Sequence, residues 1–519
     1  MRQKVHELAK RKTLAAVAVT ALSFFVRLGL TPLLGVPVPD AHDEFSFLLA
    51  ADTFAHHRLS NPTHPLWVHF ESFHIIEQPT YMSMYPPAQG MVLALGQLLG
   101  RPWLGQLLIT ALMCGAICWM LQGWVPAEWA LLGAILAVLR LGIFGYWMNG
   151  YWCASIAALG GALVWGAWPR LQRRPNISDS LWMALGLVIL ANSRPYEGLI
   201  VALPIAIAFM IWMFRAFRPR GIFTHVLVPL ALVLAFAAAG MAYYNQRVDG
   251  SPFVMGYEIN RAQYSRAAYF IWQGPRPEPV YRHEVMRNFY DREFAYYQEN
   301  RTVAGYLRHA AVNISWFWRL MVGPAFTIPL FALPWAILDR RMRLPFTAMA
   351  IFIFGLAVET WFRPHYFAPA TALFYLIVIQ CMRHLRLWRH ENRTGAALVA
   401  AVPMICCGMV VLRLAALLTH AQIEPVYPRG NLARAEISRQ LEDLPGKQLV
   451  IVHYSPDHIS DHEWVYDRAD IDASKVVWAR DMGEKENREL LDYYPNRTVW
   501  IVEPDQSPPG LFKFRPALH

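Results

Sequence analysis

Charge is scarce in this chain. Of 519 residues only 16% are Asp, Glu, Lys or Arg, while 55% are hydrophobic. Water-soluble domains carry roughly 25% charged residues, so a wholly soluble protein is excluded. Cysteine is sparse too. All six (Cys114, Cys118, Cys153, Cys381, Cys406 and Cys407) fall in apolar stretches. No disulfide framework is implied for the polar segments, and these thiols read as small packing residues. Internal repeats and low-complexity tracts are missing. Acidic residues are outnumbered, 37 against 47 basic, for a net charge of +10. The basic residues form no exposed stripe, so nucleic acid is not an expected partner.

Long apolar runs take the place of charge. A spanning helix needs roughly 20 such residues. The runs predict a polytopic α-helical membrane protein of about eleven spans, at 14–34, 102–124, 127–147, 151–168, 179–194, 196–214, 223–244, 315–337, 344–361, 364–382 and 395–417. Basic clusters mark the cytoplasmic side. They are Arg2/Lys4/Lys10/Arg11/Lys12, Arg170/Arg173/Arg174, Arg215/Arg218/Arg220, Arg340/Arg341/Arg343 and Arg383/Arg386/Arg389/Arg393. With these spans every cluster falls on one side. The N-terminus is then cytoplasmic, and its apolar run reads as a retained signal anchor. The chain is expected in the cytoplasmic (inner) membrane, among membrane lipids.

Three segments fall outside: a first loop (35–101), a second loop (245–312) and the tail from His420. The division expected is a membrane domain over 1–419 and a small extracytoplasmic α/β domain over 420–519. In the tail, Gln448–Tyr454, Lys475–Arg480 and Thr498–Glu503 read as strands, while Asn431–Glu442 and Glu484–Tyr493 read as helices. In the first loop, Glu44–His56 has apolar residues at helical spacing, as for a helix lying on the membrane. Ala88–Leu99 follows Tyr85-Pro86-Pro87 and reads as a second interfacial helix.

The chemistry gathers on the outer side. Asp43 and Glu44 follow the first span. A carboxylate there can take a proton from an attacking hydroxyl, and burial would raise its pKa toward that task. The plain alternative is that Asp43 caps the following helix. His42, His56, His57, His64, His69 and His74 share the loop, but their spacing matches no compact metal motif. They read as solvated or interfacial, with a metal site as the alternative. Arg194 and Glu197 lie between two apolar spans. Arg363, His365 and Tyr366 occupy an equivalent outer turn. Ionisable residues at membrane depth are functional candidates, and an arginine fork suits phosphate oxygens. A structural pair of Arg194 with Glu197 or Glu359 is the alternative. The second loop, Tyr257 to Tyr306, is dense in Tyr and Arg and suits interfaces and sugar faces. Asp470-x-Asp472 in the tail is discounted as a nucleotide-sugar motif.

This order of features resembles the GT-C superfamily of membrane glycosyltransferases, in particular the protein O-mannosyltransferases and the lipid A aminoarabinose transferases. An Asp-Glu pair after the first span, an interfacial helix and a proline motif opening a second one are here Asp43-Glu44, Phe45 to His56 and Tyr85-Pro86-Pro87. The likeness covers roughly residues 14–385. It implies a polyprenyl-phosphate sugar donor and inverting transfer of a hexose or pentose to an acceptor that the sequence does not name. Asp43 matches the family's catalytic base. Arg194 matches a basic residue that meets the lipid phosphate, and Arg363 and Tyr366 resemble a basic-Pro-x-Tyr turn with the same task. Asn149 stands near a position often acidic in relatives. Tyr85-Pro86 replaces the Glu-Lys of the aminoarabinose transferases, so the metal and phosphate contacts made there are not carried over. The tail replaces their extra membrane helices. No cofactor is expected. A transporter or flippase of a lipid-linked sugar is the competing reading. It is disfavoured because such proteins tend to show repeats and polar sites at the midplane.

Overall fold

A computed structural model describes residues 2–215, 219–388, 394–419 and 430–514. Arg218, Arg389 and Arg393 of the basic clusters, and the junction at 420–429, lie outside the described residues.

The chain is mostly helical. Among the described residues six helices are long and apolar enough to cross a membrane: Lys12–Gly29, Pro102–Trp124, Pro195–Phe214, Phe223–Val248, Pro364–Leu387 and Thr394–Thr419. Pro102–Trp124 and Pro364–Leu387 are mostly buried, whereas Phe223–Val248 and Thr394–Thr419 are apolar yet largely uncovered. Helices apolar on all sides are stable in the first case by packing on protein and in the second by facing lipid. Of the remaining expected spans, that at 151–168 is the 20-residue helix Ala154–Arg173, and the others are shorter or interrupted. The one expected at 127–147 is a helix over Ala127–Ala137 closed by a π turn at Val138–Gly142. That expected at 315–337 is broken into a π turn at Trp318–Val322 and short helices at Gly323–Leu330 and Leu333–Leu338. Arg343–Ala357 has 15 residues. Hydropathy averages over a window, so it does not register such interruptions.

The core of the membrane portion packs Pro102–Trp124, Ala154–Arg173, Ile177–Ala191 and Thr371–Leu387 together. The first loop holds helices at His42–Ala55 and Pro87–Leu98, with Pro87 in the first turn of the latter. Between them lies a small antiparallel sheet of Asn61–Pro62, Thr80–Ser83 and Ile75–Ile76, which the sequence did not suggest.

In the tail, Val476–Arg480, Lys447–Val452 and Arg497–Glu503 form a parallel sheet, with Gly510–Lys513 added antiparallel at the edge. The central strand carries the run Leu449, Val450, Ile451 and Val452, buried on both faces as parallel strands require. The last strand escaped the sequence reading because it is four residues long and half-exposed.

The tail does not stand apart. Its Leu449, Ile451 and Tyr466 share one core with Phe45, Leu49 and Tyr81 of the first loop. Phe45 stacks on Tyr466 with ring centres 4.2 Å apart. The helix His42–Ala55 is therefore enclosed between the tail and the helix Pro87–Leu98, not half-exposed as its pattern suggested. Periodicity reports how many faces are apolar, not what covers them.

Candidate active site

The helix His42–Ala55 opens beside the membrane portion, and its first turn carries both acidic residues. They do different work. Glu44 is buried, and its Oε2 accepts the backbone N–H groups of Asp40 (3.1 Å) and Ala41 (3.2 Å). Its Oε1 accepts the N–H of Tyr151 at 2.8 Å. A Cβ at Gly150 would stand 2.8 Å from that oxygen, so a larger residue there would push the carboxylate out of place. Burial lifts the Glu44 carboxyl to about 7, against the pull of these three amide bonds. Glu44, expected to meet substrate, thus serves as a brace between the loop and the helices below.

Asp43 turns the other way. The helix is capped at Ala41, so the capping alternative for Asp43 is not what the fold uses. Its Oδ1 accepts from the Tyr85 hydroxyl at 2.5 Å and lies 2.6 Å from His74 Nδ1. The side chain keeps 18% of its surface exposed, so the carboxylate remains open on one side. Burial opposes its ionisation, but the charge and hydrogen bond of His74, with the Tyr85 hydroxyl, hold it well below the usual carboxylate range. The sequence argument expected the opposite shift. The helix N-terminus also favours a carboxylate here. His74 is positioned by the small sheet and has a left-handed backbone, with φ at 59°. No spacing rule in the sequence pairs it with Asp43.

Arg194 faces this group from between Ile177–Ala191 and Pro195–Arg215. It is buried, bonds Glu197 Oε1 at 3.2 Å, donates from Nε to Cys153 Sγ at 3.3 Å, and sits 4.2 Å over the Tyr366 ring. The structural pair and the functional reading thus share one residue. His365 is buried against Trp152, with ring centres 4.6 Å apart, and its Nε2 has no hydrogen-bond partner among the described residues. Asp43 and His365 lie within electrostatic reach of each other, and Tyr366 lies within reach of both Asp43 and Arg194. Tyr257 of the second loop joins them, 5.5 Å from Tyr85 between ring centres and within reach of Arg194.

Two expected residues lie differently. Arg363 is exposed at the rim. Asn149 accepts from Arg27 Nε at 2.8 Å and donates to the carbonyls of Ile143 and Gly145, tying the first span to the site without entering it. The loop histidines disperse. His42 bonds Tyr466, and burial drives it down to about 3, so it is neutral. His64 meets Asp472, and His69 the carbonyl of Arg480. Among the described residues no group of three or more His, Cys, Asp or Glu could hold a metal. Asp472 serves the tail-to-loop contact, accepting from Tyr494 at 2.6 Å. Sequence reasoning missed Cys153 as a site residue, and took His74 only as one of six loop histidines and Tyr257 only as the start of an aromatic-rich loop.

No protein-family model matches the chain, nor does any curated protein. Solved structures do. ArnT from Cupriavidus metallidurans in the apo state superposes at a TM-score of 0.50, with 13% identity, over 94% of this chain and 92% of that one. The same protein bound to undecaprenyl phosphate gives 0.47 and 12%, over 94% and 92%. An oligosaccharyltransferase of Archaeoglobus fulgidus tethered to an acceptor peptide gives 0.47 and 11%, over 94% of this chain and 68% of that one. The first of these likenesses is one of fold: the helical architecture of this chain is similar to that of ArnT in the apo state.

Proposed function

From a GT-C type membrane fold as premise, we propose that this chain is an inverting glycosyltransferase. It moves a hexose or pentose from a polyprenyl-phosphate donor to an acceptor hydroxyl at the outer face of the cytoplasmic membrane. The N-terminus is cytoplasmic and the tail extracytoplasmic in this reading. The observation that carries it is the meeting of Asp43, held ionised, with buried Arg194 across Tyr366.

The chemistry follows from that pair. The acceptor oxygen attacks the anomeric carbon, and its proton passes to Asp43 as the new bond forms. The bond from that carbon to the phosphate oxygen breaks, and its electron pair leaves with the phosphate. Arg194 stabilises the charge that gathers there, with exposed Arg363 as a second cation at the rim. Attack from the side opposite the leaving group inverts the centre. A carboxyl held this low is a weak base in the ground state. It orients the hydroxyl first and receives the proton late, when the oxygen has become acidic. His74 and Tyr85 keep it aimed.

Transfer from a panel of radiolabelled polyprenyl-phosphate sugars, by purified protein in lipid with membrane extract as acceptor, tests this. Asp43→Asn keeps the contacts to Tyr85 and His74 possible but removes the base. Turnover should fall roughly 10²- to 10⁴-fold with donor binding retained. If the native protein consumes no donor, or the variant matches it, the proposal fails and the flippase reading takes its place.

A further inference from the structure

Beside Tyr85 is a narrow slot. It is lined by Ser83, Tyr85, Tyr244, Asp249, Gly256 and Tyr257, among others. The centre of a water-sized group has about 10 Å³ in which to move there, roughly the room for one water or one hydroxyl. Two polar groups on its wall are buried and lack any hydrogen-bond partner among the described residues: Asp249 Oδ1 and the Tyr244 hydroxyl, in side chains 8% and 7% exposed. Each such orphan is destabilising, and native proteins keep few of them without a ligand or water to satisfy them.

The slot is built, not incidental. A Cβ at Gly256 would stand 2.7 Å from the Met84 carbonyl, so glycine is what lets the second loop close against the first here. Three tyrosines line the slot, and tyrosine offers an apolar face with a polar tip, as a sugar ring requires. Its position fits the donor. Tyr85, on its wall, donates to Asp43, and Tyr257, also on its wall, lies within electrostatic reach of Arg194. On the glycosyltransferase reading the sugar sits between Asp43 and Arg194, and Tyr85 and Tyr257 are the two residues shared by that site and the slot.

We infer that Asp249 and Tyr244 form a specificity subsite that receives one hydroxyl of the transferred sugar, selecting donors that carry it over their deoxy analogues. This rests on the glycosyltransferase reading. A site built to bond a hydroxyl rejects the analogue lacking it, because the buried partners are then left unpaired. Burial, with the nearby Glu258 charge, lifts Asp249 to about 7, so at neutral pH it can either accept from the hydroxyl or donate to it.

The test pairs a polyprenyl-phosphate hexose with its monodeoxy analogues. Binding to Asp43→Asn protein in lipid nanodiscs and turnover by the native protein are both measured. The native slot should favour one hydroxylated donor over its deoxy analogue by roughly 100-fold or more. In Asp249→Leu, and more gently in Tyr244→Phe, that ratio should collapse toward one while the deoxy donor is handled as before. An unchanged ratio overturns the inference. So does an equal loss on every donor by a variant that melts like the native protein, and so does a preference that follows deoxy acceptors instead of donors. If no donor is turned over but the binding preference persists and depends on Asp249, the slot stands and the transferase reading falls.

Discussion

Phe45 offers a sharp test of how the tail meets the helix that carries Asp43. It sits two residues after Asp43 and is 7% exposed. Tyr466 stacks on it with planes 4° apart, and the Arg434 guanidinium lies 4.9 Å from its ring centre. Phe45→Ala removes a buried ring that nothing nearby can replace, at a cost of about 3–5 kcal/mol. Tail docking is the equilibrium that bears this loss, because both contacts come from the tail. At 1.4 kcal/mol per tenfold, the undocked population should rise by roughly 10²-fold or more. Limited proteolysis and hydrogen exchange over 42–55 and 430–514 would read it, with both segments losing protection together. A double-mutant cycle with Tyr466→Ala should return a coupling of about 0.5–1.5 kcal/mol, the share due to stacking. Turnover should fall as well, since His42, beside Asp43, bonds Tyr466. If Phe45→Ala leaves the protection of the tail unchanged, the tail is only tethered. If the change is in lipid binding instead, the helix lies on the membrane as its pattern alone suggested.

Two further outcomes follow from the site. Arg194→Lys keeps the charge but loses the planar fork that spans Glu197, Cys153 and the Tyr366 face; donor affinity should weaken about tenfold or more, read by lipid-linked-sugar binding, and an unchanged affinity would remove Arg194 from the phosphate. Glu44 gives a pH signature: its folded carboxyl is raised to about 7 from an ordinary 4.5, so its contribution is complete below about pH 4.5 and is lost as pH rises through 7. The melting temperature should therefore be lower at pH 8.5 than at pH 6, Glu44→Gln should flatten that difference, and an equal slope in both proteins would refute the assignment.

The sequence alone determined the membrane class, the polar segments and the tail's first three strands. These are local properties: an apolar run or an alternating strand carries its signal within about 20 consecutive residues. It also placed Asp43, Arg194, His365 and Tyr366 on one side, because ionisable residues among long apolar runs stand out. It could not divide the labour between Asp43 and Glu44. They are neighbours in the chain with the same chemistry, and only the approach of Gly150 and Tyr151 on one side, and of His74 and Tyr85 on the other, separates them. Nor could it show that the tail encloses the helix His42–Ala55, since Phe45 and Tyr466 meet across more than 400 positions. The orphaned pair Asp249 and Tyr244 was equally hidden. A missing hydrogen bond is a property of everything that surrounds an atom, and only the tertiary structure specifies that surrounding.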